Sequence, residues 1–297
     1  MWGTVWNRVA LLAAGMLLGW NLPHYWAAPR DRRRDLAVRL ALGALLGAML
    51  IVPLALTNRA AALLGLAVIA FCALVAYAAN ARQLLRASWE PPYMAPDAPS
   101  TWSDVIGVYL VGAWESRTYD GPAPWATYIR QRAARGLATT HWMAFPRACG
   151  RVRRAYARMG RVSPAVEALE TLGSDLGALL DGRADVQLHS SMAGTPFAGR
   201  LRQALVKGTR ELVVVPLGLD AAGIEQLREA ITASRVREAG AVVRLASAID
   251  VSAWIGKDQQ RLDRLWQGET IAAPTAAPPD LVAALLAAVS QATAPTA

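Results

Sequence analysis

Cysteine, lysine, histidine and phenylalanine are all scarce in this chain. The two cysteines, Cys72 and Cys149, show no CxxC or Cys/His spacing, which argues against a disulfide framework or a cysteine-type zinc site. Lysine occurs only at Lys207 and Lys257, so all but two of the 31 basic residues are arginine. That bias reads first as the mark of a GC-rich genome, although arginine also suits carboxylates and phosphates better than lysine does. The chain has no G-x-x-x-x-G-K-[ST] loop, no G-x-G-x-x-G after its first strand and no G-x-S-x-G elbow. Nucleotide hydrolysis and serine hydrolase chemistry therefore lose their usual carriers.

Charge is also missing from three long stretches: Val9 to Pro29, Leu40 to Asn58 and Ala60 to Ala81. About 20 apolar residues span a hydrocarbon core, so the pattern predicts three transmembrane helices within an anchor at residues 1–87. The first stretch is interrupted by Asn21, Pro23 and His24 and carries Trp20, Tyr25 and Trp26 as an interfacial belt; a signal peptide is its competing reading. Arg30, Arg32, Arg33 and Arg34 follow that stretch, Arg82 and Arg86 follow the third, and only Arg59 separates the second from the third. The positive-inside bias places the N-terminus outside and the C-terminal domain in the cytoplasm of a bacterial-type inner membrane. On such a chain the net charge of +9 is explained by topology and anionic lipid before nucleic acid, and no nucleic-acid recognition module accompanies it. Gly43 and Gly47 form a Gly-x-x-x-Gly pattern suited to close helix packing.

Residues 88–103 hold four prolines and read as a linker. From 104 to 270 the pattern is α/β. Strands are expected at Asp104–Val111, Val186–His189, Glu211–Pro216 and Ala241–Ala246. Helices are expected at Pro122–Arg135, Pro146–Met159, from Ala165 to about Leu180 after the Ser163-Pro164 start, at Pro196–Val206, and from Asp220 to about Glu238. Strands without polar alternation, separated by helices, imply a four-stranded parallel sheet covered on both faces. Residues 271–297 form an Ala/Pro-rich tail with a short helix at Asp280–Ala292.

Three blocks carry a resemblance. Arg153-Arg154-x-Tyr156-x-x-Met159-Gly160-x-x-Ser163-Pro164 resembles the R-x-Y-x-x-I-G-G-x-S-P segment of ferrochelatases. VQLHSSMAGTPF is similar to their V-x-x-x-M-R-Y-x-x-P loop, with Pro196 at the family proline. ELVVVPLGLD matches their V-V-x-L-P-L-Y-P-Q-Y-S strand at Pro216 and Leu217, and DVIGVYLVGAWES stands in the place of the first strand. The resemblance spans residues 104–250, the first of the two flavodoxin-like halves of such an enzyme. It implies a flavodoxin-like half-chelatase domain, a porphyrin or haem ligand, divalent iron as the metal, and a homodimer or partner membrane protein completing the cleft. The catalytic S-x-H-x-x-P segment of the second half is absent. Gly218, Leu219 and Ala221 replace the aromatic and hydroxyl residues after P-L-Y-P, and Ser190-Ser191-Met192 replaces Met-Arg-Tyr. Small cobalt-type chelatases, which dimerise as half-domains, carry a histidine where this chain has Gly112-Ala113-Trp114-Glu115. The expected function is thus tetrapyrrole binding at a membrane without full chelatase activity, with an active homodimeric chelatase or a non-catalytic scaffold of a membrane complex as alternatives.

His189, at the carboxyl end of a strand where open α/β sheets place ligands, is the candidate metal ligand and proton acceptor; the bland alternative is a structural histidine. Glu115, at the end of the first strand, is the candidate carboxylate beside it, and Ser190 and Ser191 are candidate ligand contacts. His141, preceding Trp142, is the remaining histidine of interest. Arg147, Arg151, Arg154, Arg158 and Arg161 fall at i, i+4, i+7, i+11 and i+14, one stripe of a helix. Arg154 and Arg158 of that stripe are the candidates for tetrapyrrole propionates, with anionic lipid and a merely solvated face as the other readings.

Overall fold

The computed structural model describes residues 2–86, 94, 96–137, 139–192 and 196–294, with the side chains of residues 2–6 outside that description. The chain divides into two compact units. The first comprises Met1–Ser88, Tyr119–Arg154 and Trp266–Gly268; the second comprises Trp89–Thr118, Ala155–Leu265 and Glu269–Ala297. The division departs from the boundary expected at residues 87–104, because residues 119–154 cluster with the N-terminal helices. Of the expected linker, residues 88–93 and 95 lie outside the described residues. Its end does not: the Ser103 amide donates to the Gly208 carbonyl at 2.7 Å, so the α/β unit has begun by then.

The first unit is built on three long helices, α1 (Trp2–Ala27), α2 (Arg30–Thr57) and α3 (Arg59–Leu85). Asn58 separates the last two in an extended conformation (φ −153°) and caps α3, its side chain accepting from the Ala61 amide at 3.1 Å. Small residues let α1 approach α3: a Cβ at Gly15 would sit 2.6 Å from the Ile69 carbonyl oxygen, and one at Gly19 would sit 2.0 Å from that of Ala73. Asn80 then donates from Nδ2 to the Trp20 carbonyl at 2.5 Å. Gly43 and Gly47 of α2 face Leu17, Leu18, Ala14 and Ile69 of the same unit, so the Gly-x-x-x-Gly pattern is spent on internal packing.

What these helices bury is small and what they expose is large. The buried residues of α2 are Gly43 and Gly47, and those of α3 are Ala62, Gly65, Ala76, Asn80 and Ala81. Leu42, Leu45, Met49, Leu63, Leu64 and Phe71 are among the exposed. Two helices, α2 and α3, are long and apolar enough to cross a membrane, with mean hydropathies of 2.3 and 2.5 over their most apolar windows. The expectation of three spans is corrected here. The first stretch is helical over 26 residues, but Asn21, Pro23 and His24 hold it below the hydropathy of a span.

The helices α4 (Ala123–Ala134) and α5 (Phe145–Arg158), the latter through Arg154, complete this unit. Trp125 stacks on Trp266 with centroids 5.8 Å apart, and Phe145 lies at 5.8 Å from the same ring. The carbonyls ending α1 are satisfied from outside it. Arg153 donates from Nη1 to those of Trp26 and Ala28 at 3.3 and 3.2 Å, and the Tyr119 hydroxyl donates to that of Ala27 at 2.7 Å. This removes the cost of leaving a helix C-terminus unpaired.

The second unit is a parallel sheet of β1 (Ile106–Gly112), β2 (Ala184–Ser190), β3 (Glu211–Pro216) and β4 (Val242–Leu245) in the order β2-β1-β3-β4. The chain leaves β1 in one direction and then crosses back, so the strand order reverses between β1 and β3. Alternation along β1 sends Val108 and Leu110 to one face, where α6 (Pro164–Leu179) and α11 (Pro279–Thr293) cover them. It sends Tyr109 and Val111 to the other, under α7 (Phe197–Val206) and α8 (Ala221–Ser234). Ser163 caps α6 by accepting from the Val166 amide, and Asp220 caps α8 by accepting from the Gly223 amide at 2.8 Å. Helix α8 stops at Ser234, short of the expected Glu238. Arg235 turns left-handed (φ 57°) and a 3-10 turn, Val236–Ala239, follows. The tail helix α11 packs on the domain, burying Leu281, Leu285 and Val289. Two helices had no counterpart in the sequence reading: α9 (Ser252–Ile255) and α10 (Asp258–Gln267), the latter contributing to this unit through Leu265.

Candidate functional site

Open parallel sheets bind ligands in the crevice outside the carboxyl ends of the strands where their order reverses, here beyond β1 and β3. In this protein the chain's own side chains occupy that place. After β1 the backbone turns so that Trp114 folds back over Gly112, where an added Cβ would lie 2.0 Å from the indole ring. Only glycine admits that contact, and Trp114 is left 2% exposed.

Glu115 follows and is wholly buried. Its Oε1 accepts from the Ser163 hydroxyl at 2.5 Å, and its Oε2 faces Arg261 Nε at 3.5 Å. Arg261 donates from Nη2 to Asp258 Oδ1 at 2.7 Å and from Nη1 to the carbonyls of Ile255 and Gly256 at 3.0 and 2.7 Å. The other oxygen of Asp258 accepts from the Ala113 amide at 3.2 Å. Burial pushes the Asp258 carboxyl above the ordinary range of an aspartate, against the opposing charge of Arg261. A buried charge is tolerable only when paired and hydrogen-bonded, and each group in this cluster is. The result is a clamp that ties α9 and α10 to the end of β1.

Ser190 joins the same region by donating from its hydroxyl to the Trp114 carbonyl while accepting from the Met192 amide at 3.0 Å. The Ser191 amide donates to the Gly112 carbonyl at 2.8 Å. The structure thus sets Ser190 and Ser191 against the turn after β1 that carries Glu115, with the Glu115 carboxylate, the Ser190 hydroxyl and the Ser191 amide engaged in holding loops. Ala193, Gly194 and Thr195, which continue the loop of the resemblance, lie outside the described residues.

His189 is in register with Val111, one residue short of that cluster. The two-residue period of the strand turns it to the α7 face, where its ring lies 5.0 Å from that of Phe197 and it is 4% exposed. Burial first, and the charge of Arg200 second, bring its pKa down to about 4. At neutral pH it is therefore an uncharged imidazole. Among the described residues no three His, Cys, Asp or Glu side chains converge to hold a metal ion.

The arginine stripe survives over Arg147, Arg151, Arg154 and Arg158, all exposed on α5 opposite the buried Ala148, Val152 and Ala155. Arg161 leaves it, because the helix ends at Arg158 and Arg161 is left-handed (φ 77°). Arg154 belongs to the first unit and Arg158 to the second. Burial pushes the Cys149 thiol far up, which makes it an inert core side chain rather than a nucleophile. Asp258 and Arg261 went unnoticed in the sequence. Their one signal was an i, i+3 acid–base pair in the amphipathic DQQRLDRLW, which any solvated helix shares.

Comparison with known proteins adds no relative: no family model matches the chain, and neither a curated protein nor a solved structure shows significant similarity to it.

Proposed function

We propose that this chain is a membrane-anchored, non-catalytic α/β protein that scaffolds a membrane complex, built on a flavodoxin-like half-chelatase frame. The observation that carries the reading is the filled crevice. Trp114 and the Glu115–Arg261–Asp258 clamp occupy the place where a doubly wound sheet would hold substrate. The strand order β2-β1-β3-β4 agrees with a flavodoxin-like frame, and the missing S-x-H-x-x-P segment agrees with lost metal insertion.

The anchor is the α2–α3 hairpin in a bacterial-type inner membrane. Its inside-out packing, with glycine and alanine buried and leucine, methionine and phenylalanine outside, is what a lipid solvent favours. Water would penalise that much contiguous apolar surface. Arginines at 30, 32, 33 and 34 in the first turns of the hairpin and at 82 and 86 at its other end favour both of its ends, and the α/β unit, on the cytoplasmic side.

Tetrapyrrole binding is the second reading, favoured by the neutral imidazole of His189, the protonation state that ligates iron. Haem titration of the detergent-solubilised full chain separates the two, run alongside an assay for metal insertion into protoporphyrin. The scaffold reading expects no saturable Soret shift and no insertion. A saturable shift lost in His189→Ala would replace it with the second, and an assembly state that His189→Ala leaves intact agrees with the first.

A further inference from the structure

A groove within the first unit runs between α1 and α3 and has a volume of about 470 Å³, the size of an ordinary small-ligand site. Its walls are Leu18 and Leu22 of α1 and Ala70, Ala73 and Leu74 of α3. Its other end is polar, lined by Trp26, Tyr77, His141 and Arg147. Along α1 the lining extends from Leu18 to Trp26, roughly 12 Å at the helical rise. The groove does not close up because α1 and α3 are already in backbone contact at Gly19 and Ala73.

The polar end is shaped for an anion. Arg147 lies 4.7 Å above the Trp26 ring, and among the described residues no carboxylate pairs with it. The Tyr77 hydroxyl donates to the Met143 carbonyl at 2.7 Å, fixing the loop that carries His141. His141 accepts through Nδ1 from the Met143 amide at 3.3 Å, which leaves Nε2–H as its donor. Arg33, at the start of α2 and outside the groove lining, lies 4.3 Å over the Tyr25 ring of α1. Tryptophan and tyrosine at this level are the residues of a headgroup belt. A short apolar trough ending in an arginine and aromatic rings fits the head-proximal part of an acyl chain on an amphiphile with one anionic head.

We propose that this groove holds an acyl chain of an anionic membrane phospholipid, with its phosphate at Arg147. The inference rests on the membrane reading above, and its test separates the two. The full chain is reconstituted into phosphatidylcholine vesicles doped with either dibrominated phosphatidylglycerol or dibrominated phosphatidylcholine. Flotation of the vesicles is scored first, and protein that does not float overturns the membrane reading and this inference with it. For protein that floats, quenching of Trp26 is obtained by difference from Trp26→Phe. Brominated phosphatidylglycerol should quench Trp26 at about fivefold lower mole fraction than brominated phosphatidylcholine, the worth of one basic contact at an anionic surface. Arg147→Gln should abolish the preference and Arg147→Lys restore most of it, while Arg151→Gln, which removes an equal charge outside the groove, should leave it intact. Ala70→Phe, at an exposed position on the groove wall, should protect Trp26 from both lipids. Equal quenching by the two lipids, unchanged in Arg147→Gln, would overturn the proposal. So would a Trp26 that stays unquenched while the remaining tryptophan fluorescence is lost.

Discussion

His189 shows how strongly one strand position can change the meaning of a residue. Its neighbour Ser190 turns toward the Trp114 loop, while His189 turns under α7 against Phe197. The charge it would gain on protonation is desolvated and repelled by Arg200, so its folded pKa lies near 4 against about 6.5 in the unfolded chain. The unfolded state therefore binds the proton first on acidification. His189 contributes full stability above about pH 6.5 and loses it as the pH falls toward 4, by about 3 kcal/mol. Thermal melts of the full chain in detergent should show that loss, and His189→Leu should flatten it over this window. An unchanged pH profile in the variant would mean the ring is not buried.

Glu115 and Arg261 act as a pair, and their variants should rank accordingly. Glu115→Gln keeps the bond from Ser163 and leaves Arg261 its contact with Asp258, so it should lower stability by about 1–2 kcal/mol. Arg261→Met leaves Glu115 and Asp258 buried with no cation between them and should cost about 3–5 kcal/mol. The same melts check the order, and the reverse order would show that Arg261 is not the centre of the clamp.

Among the elements, the three long helices were legible from charge-free runs, but their contacts were not. Gly43 and Gly47 present a recognised spacing, yet Gly15 and Gly19 make the tight crossing. In an alanine- and glycine-rich sequence the spacing recurs too freely to identify an interface. Gly19→Ala should open the α1–α3 contact, because its Cβ would overlap the Ala73 carbonyl at 2.0 Å. Gly47→Ala should be tolerated, since its Cβ meets Ile69 Cδ1 at an ordinary 3.5 Å. Limited proteolysis of the two variants in detergent reads the difference: faster cleavage of α1 in the first and a wild-type pattern in the second. The α/β elements were legible to within a few residues because caps and strand composition act locally. Ser163 and Asp220 did cap as their sequence context implied, whereas α10 lacked a long apolar run and was missed.

For the whole molecule, the decisive quantity is which surfaces meet lipid. On the membrane reading proposed above, a hairpin of α2 and α3 would have its turn at Asn58 outside and both arginine-rich ends inside. A reporter active only in the periplasm should work when inserted at Asn58 and fail when fused after residue 100. The opposite result would invert the topology.

Composition and pattern by themselves determined the classes of structure. Apolar runs long enough to span a bilayer, arginines gathered at their ends, and alternating strand and helix signals each report on a local preference that every copy of the segment carries. The parallel four-stranded sheet followed from strands with no polar alternation, because only burial on both faces permits them. What lies at the end of β1 was decided by the tertiary structure alone. Glu115 and Arg261 are 146 positions apart, and neither sequence neighbourhood encodes the other. Packing made that carboxylate part of a clamp, turned His189 under a helix, and set Arg147 beside the groove between α1 and α3. Side-chain chemistry depends on partners and desolvation, and both are supplied by contacts that a one-dimensional pattern does not contain.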